Sequence, residues 1–308
     1  MRAAVLDVGS NSIKLLVADR RPDGRLVEVR SQTLEVRISA GIGSGKPRLG
    51  PEGIQRGVAA IANLASEARG LGAERIEAVA TSAVRDAANG GEFRDRVREA
   101  SGLDLRILTG ADEARLIGAG LTTDPALQGL GDFRVFDLGG GSLECLSFRD
   151  GAVEDAASLP LGCVRLTEMF VADPSLPFGE ASAREIGRHV AAVLGGSGFP
   201  LPVPQGTAVI GTGGTLTTVR AMAAAQRHET LERGDPLIGV PLLLEMLART
   251  GPLGLPERKR IPGLPPSRAD VLPTALATLL ALADLGRFGA FQHSLRNLRW
   301  GVAREILG

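Results

Sequence analysis

One phrase occurs twice in this chain of 308 residues, and it constrains the fold more than any other feature. It reads Asp7-Val8-Gly9-Ser10-Asn11-Ser12 and, again, Asp137-Leu138-Gly139-Gly140-Gly141-Ser142. Each copy follows a short apolar run, Ala3-Ala4-Val5-Leu6 or Val135-Phe136, that reads as a buried strand. A strand thus ends in a carboxylate and turns through glycines whose backbone N–H groups can face an anion. Glycine suits such a turn because a side chain would block close approach and because positive φ becomes accessible. Successive N–H groups form a concave anion site, and the aspartate can hold a cation that bridges to a phosphate. One copy alone is an ordinary turn. Two copies at matching strand ends predict two similar domains holding one phosphorylated ligand.

Composition narrows the partners. Apolar residues make up 44% and charged residues 23%, an ordinary globular profile long enough for two cores. The net charge is zero, so no global field points to nucleic acid, and any polyanion needs a local basic patch. Positive charge is almost all arginine, with lysine only at 14, 46 and 259; arginine offers a fork for phosphate oxygens. Tyrosine is absent and Trp300 is the single tryptophan, which argues against a base-stacking platform. Cys145 and Cys163 are too few for a disulfide scaffold or a zinc site and read as small core residues. Asp7 interrupts any signal-like region, and no apolar stretch approaches the roughly 18 residues of a membrane span. The expectation is a cytoplasmic protein with no membrane and no nucleic-acid partner.

Strands are predicted near 3–7, 13–18, 26–31, 75–81 and 105–108. A helix from Pro51 should bury Ile54, Val58, Ile61, Ala65 and Ala68, and further helices are predicted near 92–100 and 111–121. The Pro/Gly-punctuated stretch 122–131 sets the domain boundary, giving domains 1–124 and 125–308. The second part continues with one or two strands near 144–158, of which the first ends at Cys145. Helices follow near 181–194, 215–226, 240–249, 269–285 and 297–307, with a strand at 207–211. Strands alternating with helices predict an α/β fold with mixed sheets. The segment 41–47 superficially resembles a Walker A loop, but its spacing is wrong and Pro47 stands where Ser/Thr would hold magnesium, so it reads as a turn.

Seven motifs then occur in a telling order. They are residues 7–15 (DVGSNSIKL), 81–89 (TSAVRDAAN), 109–118 (TGADEARLIG), 137–144 (DLGGGSLE), 159–166 (LPLGCVRL), 211–215 (GTGGT) and 263–272 (GLPPSRADVL). Together they resemble the exopolyphosphatase/guanosine pentaphosphate phosphatase (Ppx/GppA) family in its short two-domain form. The resemblance implies two related actin-like (ribonuclease H-like) domains with mixed sheets flanking a central cleft, and a homodimer. By position, Glu113 matches the proposed catalytic glutamate, and Glu144 matches a second carboxylate that places water or metal. Gly9, Ser10, Asn11, Ser12 and Lys14, with Gly139, Gly140, Gly141 and Ser142, match the phosphate-binding segments. Arg85 and Asn89 match a motif that reaches the phosphates. Gly213, Gly214, Thr215 and Arg268 complete the implied substrate set, and Asp7, Asp137 and Glu144 the ligands for Mg2+. Leu143 departs from the threonine common in the family. Asn297 replaces a glycine near the C-terminus and can still adopt a left-handed turn there, so the fold is not endangered.

The implied reaction is hydrolysis of terminal phosphoanhydride bonds of inorganic polyphosphate or guanosine pentaphosphate. It needs charge neutralisation, in-line water and a group to take the proton, for which Glu113 or Glu144 is suited. Taken singly, these residues have plain readings. Glu113 is a first-turn acid that stabilises its helix, Arg85 beside Asp86 is a surface pair, and the cluster Arg258-Lys259-Arg260 is a solvated loop or a guide for a polyphosphate tail. Alternatives are phosphotransfer to a nucleotide, a sugar or carboxylate kinase of the same superfold, and a sensor that binds polyphosphate or alarmone without turnover.

Overall fold

The computed structural model describes residues 1–308 except 40, 41, 44 and 45, so the expected 41–47 turn lies partly outside the described residues. The chain divides into two compact units, Met1–Gly129 with Arg296–Gly308, and Leu130–Leu295. The first unit runs β1 (Arg2–Val8), β2 (Ser12–Arg20), β3 (Leu26–Glu35), α1 (Pro51–Gly70), β4 (Arg75–Ala80), α2 (Ser82–Arg85), α3 (Gly90–Ser101), β5 (Leu105–Ile107) and α4 (Gly110–Leu121). The second begins β6 (Phe133–Leu138), β7 (Leu143–Arg149), β8 (Ala152–Leu159), α5 (Cys163–Phe170), α6 (Glu180–Gly196), β9 (Ala208–Thr212) and α7 (Gly214–Gln226). It continues β10 (Leu237–Gly239), α8 (Val240–Thr250), α9 (Leu255–Arg258), α10 (Leu272–Gly286) and β11 (Ala290–His293), after which α11 (Leu298–Leu307) closes the chain.

The duplicated phrase makes the same hairpin twice. In the first unit β1 is antiparallel to β2, with Asp7 opposite Lys14. In the second β6 is antiparallel to β7, with Asp137 opposite Glu144. Each turn is closed by the same bond, Gly9 N–H to Ser12 O at 3.1 Å and Gly139 N–H to Ser142 O at 3.0 Å. The sheets then repeat one another. The first has the order β3-β2-β1-β4-β5, and the second contains the matching series β8-β7-β6-β9-β11, to which β10 adds an outer strand. β1 and β6 pair in parallel with β4 and β9, so the sense of each neighbour is conserved as well as its order. Both are mixed sheets, as the alternation of elements predicts.

Burial explains the local sequence. β1 and β6 are buried along almost their whole length, which is why they read as unbroken apolar runs instead of alternating ones. The edge strands β3 and β8 are largely exposed and mixed in composition. In α1 the predicted face is buried except for Val58, which is half-buried. α10 starts at Leu272, later than the predicted 269, because Pro273 belongs in a first helical turn. Cys145 lies within β7 instead of ending a strand, and both cysteines are buried. No helix among the described residues is long and apolar enough to cross a membrane.

Three expectations are corrected here. A single boundary at 124/125 assigned everything beyond it to one domain, whereas residues 296–308 belong to the first unit. The reason is a helix contact that local sequence does not reveal: α11 packs on α4, β1 and β2. At the crossing a Cβ on Gly301 would lie 2.7 Å from the Leu116 carbonyl carbon, and one on Gly120 would lie 2.8 Å from that of Asn297. The two backbones therefore touch. Asn297, read as able to take a left-handed turn, instead has φ −148° and ψ −142° as the N-cap of α11. Arg258, expected in a solvated loop, ends α9 and is 1% exposed, while Lys259 and Arg260 stay at the surface. Its guanidinium donates to the carbonyls of Pro174 and Leu176 at 2.8 Å each, of Ala269 at 2.8 Å and of Leu253 at 3.2 Å.

Candidate active site

The second unit presents a loop with two unlike sides. On one side α5 begins directly beneath loop 139–142 and takes up its carbonyls. Cys163 N–H donates to Gly139 O at 3.0 Å, Val164 N–H to Gly140 O at 2.8 Å, and Arg165 Nε to Gly141 O at 2.9 Å. A side chain at Gly162 would collide with the backbone of Gly140 and Gly141, so glycine there is what lets the helix approach. The amides of Gly140 and Gly141 donate to nothing among the described residues. With its carbonyls engaged and these N–H groups available, the loop has the geometry to receive an anion.

Beside it stand two buried carboxylates. Asp137, 6% exposed, ends β6, and Glu144, 2% exposed, lies directly opposite on β7. Facing residues of an antiparallel pair point to one side of the sheet, and two desolvated carboxylates so placed repel unless a proton or a cation intervenes. Ser158 Oγ donates to Glu144 Oε1 at 2.8 Å and orients it from β8. Gly213, at φ 94°, brings the β9–α7 loop against Asp137; a Cβ there would lie 2.8 Å from Leu138 O and strike the Asp137 carboxylate. The Arg268 guanidinium packs on Gly214 at the start of α7, where a side chain would collide with it. Thr215 is buried in the first turn of that helix.

In the first unit the corresponding pair is of opposite charge. Lys14 Nζ lies 3.9 Å from Asp7 Oδ2. Arg299, reaching from α11 to Leu15 O (3.0 Å) and Ser31 Oγ (3.1 Å), adds a second cation. Burial pushes the Arg299 guanidinium below its ordinary pKa, and the charges of Asp7 and Glu28 pull it back up. Glu113 is buried in the first turn of α4, whose N-cap Thr109 accepts from Asp112 N–H at 3.1 Å. Arg85 Nη1 donates to Glu113 Oε2 at 2.7 Å and to Leu108 O at 3.3 Å, so the arginine pairs with the buried glutamate as well as with Asp86. Ser10, Asn11 and Ser12 are all buried, and the Ser10 hydroxyl has no hydrogen-bond partner among the described residues.

The chain matches the model of the Ppx/GppA phosphatase family over residues 16–308. The chain belongs to that family. A solved exopolyphosphatase from Cytophaga hutchinsonii superposes with a TM-score of 0.89 at 24% identity, covering 100% of this chain and 98% of that one. The Ppx/GppA family member from Aquifex aeolicus superposes with a TM-score of 0.77 at 25% identity, covering 100% and 97%. Membership in the Ppx/GppA family makes the chain a hydrolase of phosphoanhydride bonds, and the duplicated sheets agree with the fold of these relatives.

Within this Ppx/GppA frame, two expected ligand residues have other work. Asn11 Nδ2 donates to Glu35 Oε2 at 2.8 Å, and its Oδ1 accepts from Arg37 Nε at 3.0 Å, so the side chain pins the loop to the end of β3. Asn89 forms a two-point clamp on the backbone of Leu49, accepting from N–H at 2.8 Å and donating to O at 3.0 Å. Asp7, expected to bind metal, has cationic neighbours in that place. Asp137 and Glu144 do fit a cation. No group of three or more His, Cys, Asp or Glu side chains converges among the described residues. The donor set therefore suits an ion that takes two carboxylates and otherwise water and substrate oxygens, as magnesium does, and not zinc. Motif reading passed over Ser158, Thr212, Arg165 and Arg299. The first two become visible only once the strand register is known.

Proposed function

We propose that this Ppx/GppA phosphatase removes terminal phosphate from inorganic polyphosphate with the help of Mg2+. The observation that carries the reading is loop 139–142, its carbonyls engaged by α5 and its Gly140 and Gly141 amides available, set beside the buried pair Asp137 and Glu144. Phosphoanhydride hydrolysis needs charge neutralisation, oriented water and a proton acceptor. The amides of loop 139–142, with Ser142, cradle phosphate oxygens. Asp137 and Glu144 would hold Mg2+, which supplies positive charge against the phosphates. Lys14, Arg85 and Arg268 add charge-assisted contacts. Glu113, oriented by Arg85, accepts the proton of the attacking water. Asn11 and Asn89 act one step back by fixing the loops.

Polyphosphate is preferred over guanosine pentaphosphate because the chain offers little for a guanine base. It has no tyrosine, and Trp300 is 5% exposed beneath the Arg296 guanidinium, 3.9 Å from its ring centre. The family resemblance also implies a homodimer, to be read by light scattering.

The test is phosphate release from long-chain polyphosphate and from guanosine pentaphosphate, with Mg2+, by wild type, Glu113→Gln and Glu144→Gln. Loss of at least about a hundredfold in kcat for each variant is expected, in line with removal of a proton acceptor or a charged ligand. If the two glutamates serve one reaction, the double variant falls little below the worse single one. Wild-type binding of polyphosphate without release would overturn the hydrolytic reading, and formation of ATP from added ADP would move it to phosphotransfer.

A further inference from the structure

We infer that Thr212 is a further binding residue of the cation site in the second unit, an inference that rests on the phosphatase reading above. Four polar side chains form one row across the second sheet. Thr212 on β9 is paired with Asp137 on β6, Asp137 with Glu144 on β7, and Glu144 with Ser158 on β8. Paired residues of neighbouring strands point to one side of the sheet, and the bond from Ser158 Oγ to Glu144 Oε1, at 2.8 Å, is a contact along that side.

The duplicated hairpin supplies an internal comparison. The equivalent row of the first sheet is Val79, Asp7, Lys14 and Thr33. There the aspartate has an ammonium group on one side and a fully buried valine on the other. In the second unit the lysine position is Glu144 and the valine position is Thr212. Both differences add oxygen where the other copy carries a cation or a methyl group.

Thr212 is 1% exposed, and its hydroxyl has no hydrogen-bond partner among the described residues. A buried hydroxyl without a partner is destabilising, and valine has the same shape without the penalty. The strand therefore tolerates a residue that weakens the fold unless something outside the chain completes the bond. The neighbouring carboxylates indicate what that is. A cation held by two carboxylates keeps several of its waters, and such a water within reach of Asp137 is also within reach of the residue paired with it. The Thr212 hydroxyl bonds a water of the cation's coordination shell, and that bond both tightens the site and orients the shell. Residues in this supporting position commonly contribute about ten- to a hundredfold in metal affinity.

The test uses Mn2+, visible by electron paramagnetic resonance, titrated into the full-length metal-free protein as wild type, Thr212→Val, Thr212→Ser and Glu144→Gln. Thr212→Val is expected to weaken Mn2+ binding about tenfold, while Thr212→Ser stays within about threefold of wild type. Without metal, the apparent Tm of Thr212→Val should equal that of wild type or exceed it by about 2 °C. This combination, weaker metal binding with no loss of stability, is one that a structural threonine does not produce. If Glu144→Gln loses Mn2+ but Thr212→Val binds like wild type, the inference is wrong and the carboxylate site stands. If Glu144→Gln binds Mn2+ like wild type, the cation site itself is misplaced and the inference falls with it. A metal-free Tm several degrees lower in Thr212→Val would make the residue structural and overturn the inference.

Discussion

At the scale of single residues, chemistry alone does not say whether a polar side chain serves substrate or scaffold; its partners do. Asn11 and Asn89 sit in motifs associated with phosphate, yet both amides are engaged at each end with the protein itself. Arg258 goes further. It is among the largest fully buried side chains, and burial pushes its guanidinium below the ordinary pKa with only the charge of Asp270 to oppose the shift. Four carbonyls from residues 174, 176, 253 and 269 converge on it, so one cation joins three separate stretches of chain. Arg258→Met removes the buried charge but leaves those carbonyls without a donor. A loss of about 3 kcal/mol is expected, since orphaned buried acceptors cost about 1–3 kcal/mol each before relaxation. Urea denaturation followed by circular dichroism measures it, and an unchanged midpoint would show that water replaces the guanidinium freely.

At the scale of elements, what was legible in the sequence is what repeats or is local. The paired phrase placed a strand end and a glycine turn in each half, because strand-ending glycines are visible without a structure, whereas the antiparallel register of each hairpin is seen only in the structure. Glu113 was legible as a first-turn residue of α4, and Glu144 as a strand residue after the second loop. What stayed hidden depended on partners far away in sequence: the return of α11 to the first unit, the Arg85–Glu113 ion pair, and the row from Thr212 to Ser158. The α4–α11 crossing can be tested directly through Gly301→Ala. In an isolated helix this change stabilises by about 1 kcal/mol, so any net loss reports the contact. A Cβ at that point cannot fit against the Leu116 carbonyl, and α11 must shift away from α4. We expect a destabilisation of about 2–4 kcal/mol. Because α4 carries Glu113, kcat should fall several-fold with KM little changed. Thermal denaturation with steady-state kinetics reads both, and stability at or above wild type would refute the close crossing.

At the scale of the whole molecule, composition makes one pH dependence unusually clean. The chain has zero formal net charge, with cations that are nearly all arginine, three lysines and no tyrosine. Arginine does not titrate in the accessible range, and lysine titrates near 10.4. Between about pH 8.5 and 10, cysteine is thus the main group left to respond. Cys145 is fully buried beside Glu144, and burial first, then that carboxylate's charge, raises its thiol well above the ordinary value of 9.0. The native state keeps the proton while the unfolded chain releases it. Stability from this source is fully present below the unfolded-state pKa and falls as pH rises beyond it, by up to about 1.4 kcal/mol per pH unit for one group. Urea midpoints measured in steps from pH 8 to 10 should decline in the wild type and decline less steeply in Cys145→Ala, whose own cavity cost shifts the whole curve without tilting it. The same burial keeps the thiol from reacting with a disulfide reagent until the second unit opens. Labelling of Cys145 at pH 8 should therefore follow the unfolding rate of that unit, and its rapid labelling in native protein carrying Cys163→Ala would contradict the packing of β7.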